Sequence, residues 1–246
     1  HVTPSPRHPF PTSPLPCVPT GSMLYLVPTP IGNLEDITLR AIRVLKEVAL
    51  IACEDTRTSG VLLSEYGIDT PTTSYHAHNE HKKTPHLLAR LRAGHDIAVI
   101  TDAGAPGISD PGFYLARACW EADVAVTALP GPTAFVPALT ASALPSDRFV
   151  FEGFLPKKKG RQTRLRTLAT EPRTLVFYEA PYRLVRTLDD LADHMGDTRM
   201  AAVARELTKT HEEVRRGTLQ DVRSYFAAQE KVRGECAIIV AGCPDA

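Results

Sequence analysis

Two carboxylates, Asp102 and Asp110, bracket a run of small residues in the stretch Val99-Ile-Thr-Asp-Ala-Gly-Ala-Pro-Gly-Ile-Ser-Asp-Pro-Gly112. Carboxylates accept hydrogen bonds from hydroxyl and amino groups, and Gly104 and Gly107 let backbone approach a ligand closely. The spacing is neither G-x-G-x-x-G nor a P-loop, which argues against a dinucleotide or nucleotide-triphosphate site. Glu54-Asp55-Thr56-Arg57 offers two more carboxylates and a guanidinium, in a pattern that also fits a helix start. His76, His78, Asn79, Glu80 and His81 are dense in polar groups, but the H-x-H spacing has no clear third ligand. A polar substrate-facing loop is therefore expected there rather than a metal. Pro28–Asn33 and Pro130–Thr133 complete a set of five polar or Gly/Pro clusters.

Each cluster follows a short apolar run. Leu24–Val27, Val48–Cys53, Thr72–His78, Ile97–Ile100 and Val124–Leu129 read as strands, separated by helical patterns. Asp36 is expected to cap the first helix, and Asp110, with Pro111 in the first turn, the helix through Leu115 and Trp120. An apolar helix follows over Thr133–Leu144. This alternation predicts an α/β fold with a mostly parallel sheet and helices on both faces. In such a sheet all five clusters lie at one edge and converge on one cleft, a better signal than any cluster alone.

After Pro145 the pattern changes. Strands are expected at Phe149–Phe154, Thr174–Tyr178, Met200–Thr208, Glu212–Gly217 and Cys236–Ala241, with helices over 157–170, Tyr182–Met195 and around Val222. Three late strands leave little room for crossover helices, so some pairing must be antiparallel. The chain thus divides into an N-terminal α/β domain (23–143) and a mixed C-terminal domain (146–243), hinged at Ala143–Ser146. The run Lys157–Arg166 carries six positive charges and no acid, enough to track a phosphate backbone. Arg205 and Lys209 can meet phosphates or pair with neighbouring acids.

Lysine plus arginine and aspartate plus glutamate both number 28, which disfavours a uniformly basic nucleic-acid binder and leaves only local patches. The five cysteines contain no C-x-x-C pair, against a disulfide framework or structural zinc. No apolar run approaches a membrane span, and a cytoplasmic protein is expected. Residues 1–22, rich in Pro, Ser and Thr, read as a disordered extension or a cloning remnant.

Several stretches together carry a family resemblance: Val-Pro-Thr-Pro-Ile-Gly-Asn-Leu-Glu-Asp-Ile-Thr (27–38), Glu-Asp-Thr-Arg (54–57), His-Asn-Glu (78–80), residues 102–112 and Leu-Pro-Gly-Pro-Thr-Ala (129–134). Phe-Glu-Gly-Phe-Leu-Pro-Lys-Lys (151–158), Tyr-Glu-Ala-Pro-Tyr-Arg-Leu (178–184), Arg-Glu-Leu-Thr-Lys-Thr-His-Glu-Glu (205–213) and Arg-Gly-Glu (233–235) continue it. Over Leu24–Gly242 the chain resembles the tetrapyrrole methylase superfamily of S-adenosylmethionine (SAM)-dependent methyltransferases. Within it, the likeness is to the branch that 2′-O-methylates a cytidine of small-subunit ribosomal RNA.

The resemblance implies a homodimer of two-domain chains with SAM in the interdomain cleft, acting on ribosomal RNA or the assembled small subunit. It implies cofactor contacts from Pro30, Asp102, Ala103, Gly104, Ile108, Asp110, Thr133, Ala134, Tyr178, Ala180 and Ala204. Pro28, Pro30 and Ile31 stand where porphyrin-type relatives have Gly-x-Gly-Pro-Gly, which implies a reshaped acceptor side. Arg57, Lys157, Lys158, Lys159, Arg161 and Arg164 would hold RNA. The sulfonium activates the methyl without a metal, but a ribose hydroxyl is a poor acid and needs help losing its proton. Glu54, Asp55, Glu80, Lys209 and His78 are the candidates, and the sequence does not choose among them. Two other readings stay open: a porphyrinoid C-methyltransferase on the same fold, and a non-catalytic RNA-binding or ribosome-assembly module.

Overall fold

A computed structural model describes residues 21–244. The expectation for 1–22 therefore lies outside the described residues, apart from Gly21 and Ser22.

The N-terminal half alternates strand and helix: β1 (Met23–Leu26), α1 (Leu39–Glu47), β2 (Leu50–Cys53), α2 (Thr56–Glu65), β3 (Thr72–Ser74), α3 (Glu80–Arg92), β4 (Ile97–Ile100), α4 (Phe113–Glu121) and β5 (Ala125–Ala128). The strands form one sheet in the order β3-β2-β4-β1-β5, and every pair is parallel. The chain steps outward from β1 to β3, then returns to β4 in the middle and β5 beyond β1. Right-handed crossovers make such a reversal put helices on opposite faces. Alternate residues confirm the two faces: Tyr25, Ala98 and Ile100 pack with Val44, Leu45 and Leu62 of α1 and α2, whereas Leu24, Ile97 and Val99 pack with Leu91 and Leu115 of α3 and α4. β2 and β4 are buried throughout, as strands covered on both faces must be.

Two expected helix caps are corrected. Asp36 lies in a short 3-10 turn (Leu34–Asp36), and α1 is capped by Thr38, whose hydroxyl accepts from Ala41 N–H at 3.1 Å. Asp36 is two residues too early to reach the first free N–H groups. Gly112, at φ 138°, and not Asp110, precedes α4. A Cβ at Gly112 would sit 3.1 Å from Gly107 N, so the tight 107–112 loop requires glycine there and leaves Asp110 free of the helix.

The second sheet is built from β6 (Phe149–Phe154), β7 (Thr174–Glu179), β8 (Met200–Arg205), β9 (Glu213–Thr218) and β10 (Cys236–Val240), in the order β6-β7-β10-β8-β9. β6 and β7 are parallel and the other three pairs antiparallel, as the short connections require. Four helices complete the chain: α5 (Phe135–Ser142), α6 (Arg161–Ala169), α7 (Leu184–Met195) and α8 (Leu219–Ala227). Leucines of α6 and α7 and Phe226 of α8 cover one face through Leu175, Phe177 and Ile238. The basic helix expected from residue 157 starts at Arg161, because Gly160 at φ 83° breaks the helical backbone before it.

α5 covers the other face. Its Ala138 and Leu139 pack on Val176, Ala202, Ala204, Ala237 and Ile239, where small strand residues let the helix approach. The hinge at 143–146 is thus a boundary in sequence, while α5 belongs by packing to the second sheet. Ile31, from the loop after β1, joins the same cluster and fastens the two halves. Among the described residues no helix is long and apolar enough to cross a membrane.

Candidate active site

A cavity of about 430 Å³ lies where the C-terminal edge of the first sheet meets the second sheet. The loop after the central strand β4 supplies most of one wall: Asp102 to Ala105, then Ile108 to Asp110. Its path needs left-handed backbone at Gly104 (φ 87°), Gly107 (φ 84°) and Ser109 (φ 64°). Glycine takes such angles freely, whereas for Ser109 they carry strain. The loop is zipped to the one after β1 by paired bonds: Thr29 N–H to Gly104 O and Gly104 N–H to Thr29 O, both 2.9 Å. The Thr29 hydroxyl, itself buried, donates to Thr101 O at 2.9 Å.

The opposite wall comes from the ends of β7, β8 and β10. Antiparallel register brings Glu179 and Arg205 level with Cys236, so Tyr178–Pro181, Ala204, Leu207 and Glu235–Ala237 meet at one place. The Tyr178 hydroxyl accepts from Phe135 N–H at 3.0 Å, tying β7 to the start of α5.

The cavity is acidic. Asp102 Oδ1 accepts from Asp55 N–H at 3.1 Å, and Asp102 N–H reaches Glu54 Oε2 at 3.4 Å. Burial pushes the Glu54 carboxyl above its usual range, and the Asp102 charge adds to this. Burial likewise raises Asp102. Asp110 goes furthest, to about 7, first through burial and then through the charges of Glu54, Asp102 and Glu235. Glu179 differs: its carboxylate accepts from the Thr187 hydroxyl at 2.6 Å and lies 3.4 Å from Arg183. Among the described residues no lysine or arginine lines the cavity. Like charges gathered without a cation raise each other's pKa and leave the space suited to a positively charged ligand.

The structure brings together most of the expected site residues. Asp102, Ala103, Gly104, Ile108, Asp110, Thr133, Ala134, Tyr178, Ala180 and Ala204 all line the cavity, and so does Glu54. Pro30 does not; its neighbour Ile31 takes that position. Asp55 contributes its backbone, while its carboxylate is held by Arg57 at 2.7 Å and falls to about pKa 2. Glu80 and His78 do not line the cavity. That loop is folded on itself: Asn79 Oδ1 accepts from His76 N–H and Asn79 Nδ2 meets His76 Nε2, both at 2.9 Å. Four strand-end clusters therefore line the cavity, and the fifth reaches only as far as His76, which acts electrostatically on Glu54.

Lys209 stands just behind the cavity. Its Nζ lies 2.9 Å from Glu206 and 3.2 Å from Glu235. Burial works to lower its pKa, but the two carboxylates outweigh this and hold it above the ordinary lysine value. Lys209 is thus a cation held in place by two carboxylates.

The basic run divides. Lys157, Lys158 and Lys159 are exposed. Arg161 is 4 % exposed and bonds Asp190 at 2.7 Å and Thr187 at 2.9 Å, so the expectation that it meets RNA is corrected. Arg164 holds Glu152 through two bonds of 2.7 and 2.6 Å. Arg57 is exposed and engaged with Asp55. Among the residues that sequence reasoning did not place in the site, Glu179 and Glu235 matter most. Both sit in stretches that carried the family resemblance, 178–184 and 233–235, but only the antiparallel register shows that they meet.

Residues 23–223 match the family described as tetrapyrrole (corrin/porphyrin) methylases. The chain belongs to the tetrapyrrole methylase family. This methylase is 53% identical over 221 residues to a Synechocystis protein named ribosomal RNA small subunit methyltransferase I, a match covering 89% of this chain and 79% of that one. It is 50% identical over 225 residues to the Pseudomonas aeruginosa protein of the same name (91% and 80% covered). The Escherichia coli counterpart is 49% identical over 221 residues (89% and 77%). Among solved structures, uroporphyrin-III C-methyltransferase from Thermus thermophilus superposes with a TM-score of 0.63 at 23% identity, covering 89% of this chain and 94% of that one. A cobalt precorrin-4 methyltransferase gives 0.67 at 16% identity, covering 92% and 98%. These two likenesses show the fold. A further Thermus structure of the first enzyme, at 22% identity and TM-score 0.62 over 89% and 97% of the two chains, is complexed with S-adenyl homocysteine.

Proposed function

We propose that this methylase transfers the methyl group of SAM to the 2′-hydroxyl of a cytidine in small-subunit ribosomal RNA. The observation that carries the reading is the identity of about half, over nearly the whole chain, to proteins named small-subunit ribosomal RNA methyltransferases. The likeness to porphyrinoid enzymes is far weaker in sequence, and neither it nor a purely binding role is favoured.

The cavity fits SAM. Glu54, Asp102 and Asp110, with no facing cation, suit a sulfonium and an ammonium, and Asp110 and the second oxygen of Asp102 can accept from hydroxyl or amino groups. Ile31, Ile108, Ala134, Ala204 and Leu207 give an apolar surface for the adenine, with Tyr178 beside them. SAM supplies a methyl already activated for transfer to oxygen. The chain's tasks are to align the acceptor oxygen, exclude water and receive a proton. Glu54, Asp102 and Asp110 are all raised towards neutrality at the cavity; Asp102 is engaged by Asp55 N–H, and Glu54 and Asp110 are the proton acceptors of this reading. Asp55 is too acidic and Lys209 is already charged. Lys157, Lys158 and Lys159 hold the RNA backbone. The enzyme works in the cytoplasm with the ribosome, as a homodimer; the exposed Phe113, Tyr114 and Trp120 of α4 supply apolar surface for association.

The test offers labelled SAM with small-subunit RNA, naked or assembled, from cells lacking the enzyme. Label in RNA is the expected result. SAM binding without transfer to either form contradicts the proposal.

A further inference from the structure

Beyond the cavity runs a second groove of about 590 Å³, lined by Glu152, Pro156, Gly160, Thr163 and Arg164 among others. Phe154 is the one described residue that lines both the groove and the cavity. Phe154 is 55 % exposed, at the end of the edge strand β6.

The backbone is shaped to put it there. β6 pairs with β7 in step from Phe149↔Thr174 to Phe151↔Val176, but the next pair is Gly153↔Phe177. Glu152 is therefore an extra residue, a bulge that reverses the alternation of side chains. Without it Phe154 would face the helical core with Phe177. With it Phe154 pairs Tyr178 and emerges on the cavity side, its ring 5.8 Å from that of Tyr178. The bulge needs Gly153 at φ 61°, and a Cβ there would meet Ser109 Oγ of the cavity loop at 3.1 Å. The extra residue is not idle: Glu152 accepts two hydrogen bonds from Arg164, and both residues line the groove. Three residues past Phe154 begin the exposed Lys157, Lys158 and Lys159.

An exposed aromatic face beside free cations is the arrangement that receives an unstacked base and its phosphates. A ribose hydroxyl inside a paired, stacked strand cannot enter a cavity; its nucleotide must be turned out. We propose that Phe154 is the stacking platform for the base of the acceptor nucleotide. The base lies in the groove, its ribose crosses the rim into the cavity, and the neighbouring phosphates meet Lys157–Lys159. This rests on the RNA-methylating reading of the same site and adds the residue that positions its substrate.

The experiment compares Phe154→Leu, which keeps apolar contact with the cavity but removes the π-face, with Phe154→Trp. Phe154→Leu is expected to raise the KM for RNA by roughly 5- to 150-fold, the range of one lost base–aromatic stack. It should leave the KM for SAM nearly unchanged, and Phe154→Trp should restore the RNA value. In the Trp120→Phe/Phe154→Trp double variant, the single tryptophan reports stacking directly. Its fluorescence should be quenched by a short oligocytidylate and not by ribose 5-phosphate. An unchanged RNA KM in Phe154→Leu, or unquenched fluorescence at saturating oligonucleotide, overturns the platform while leaving RNA methylation intact. Absence of methyl transfer by the unaltered enzyme refutes the RNA-methylating reading instead, and the quenching measurement still decides whether the ring binds a base.

Discussion

Asp110→Asn should make the protein more stable and bind its cationic ligand less well. None of the described residues donates a hydrogen bond or brings a cation to the Asp110 carboxylate, and burial with three neighbouring carboxylates raises it from 3.8 to about 7. A carboxyl whose folded pKa lies above its unfolded one binds more protons when folded, so stability falls as pH rises from about 4 through about 7. The difference of about 3 pKa values corresponds to ~4 kcal/mol, and solvent reaching this partly buried group cuts that to roughly 2 kcal/mol. The isosteric amide removes the ionisation without removing volume. Urea unfolding at pH 8 should therefore show Asp110→Asn more stable by about 2 kcal/mol, with the advantage shrinking below ~1 kcal/mol by pH 5. Calorimetry at pH 8 should show SAM binding weakened by roughly tenfold, the loss of one carboxylate facing a cation in a half-exposed site. A variant less stable at both pH values, or a gap independent of pH, refutes the claim that Asp110 is an uncompensated charge held for a ligand.

Three further perturbations follow from the contacts. Replacing Lys157, Lys158 and Lys159 by alanine should reduce the slope of log affinity against log salt for RNA by about 2, with SAM affinity unchanged; an unaltered slope returns these lysines to plain surface. Arg161→Ala leaves Asp190 without its cation and Thr187 without its donor, and should cost about 3–5 kcal/mol in urea unfolding, far more than a solvent-facing arginine. Tyr178→Phe deprives Phe135 N–H of its acceptor and should cost about 1–2 kcal/mol; a neutral effect would mean that β7 and α5 are held by packing alone.

The parallel sheet was legible because its signals are local. Apolar runs of strand length, each ended by Gly, Pro or acid, give β1 to β5 and mark the edge where their loops meet. What failed was information that distance in sequence hides. His76–Glu80 looked like a fifth member of the cleft, but its loop closes on Asn79 and reaches the cavity only through the effect of His76 on Glu54, a local fold that composition does not show. Asp110 read as a helix cap, yet the 107–112 loop closes through Gly107 N–H to Pro111 O at 3.1 Å and hands the cap position to Gly112. Arg161 looked like one more cation of a basic run, but it falls opposite Asp190 on α7 and is buried by that pairing. Glu235 enters the site only through the β8–β10 register and Lys209, a relation among three stretches separated in the chain.

The central claim is that the acceptor is a ribose oxygen of RNA, and the most direct measurement is the alkaline hydrolysis of RNA labelled by this enzyme with methyl-tritiated SAM. A 2′-O-methyl group blocks cleavage of the adjoining phosphodiester, so the label should be recovered in one alkali-resistant dinucleotide whose first residue is cytidine. Label released in ordinary mononucleotides would place the methyl on a base and contradict the account.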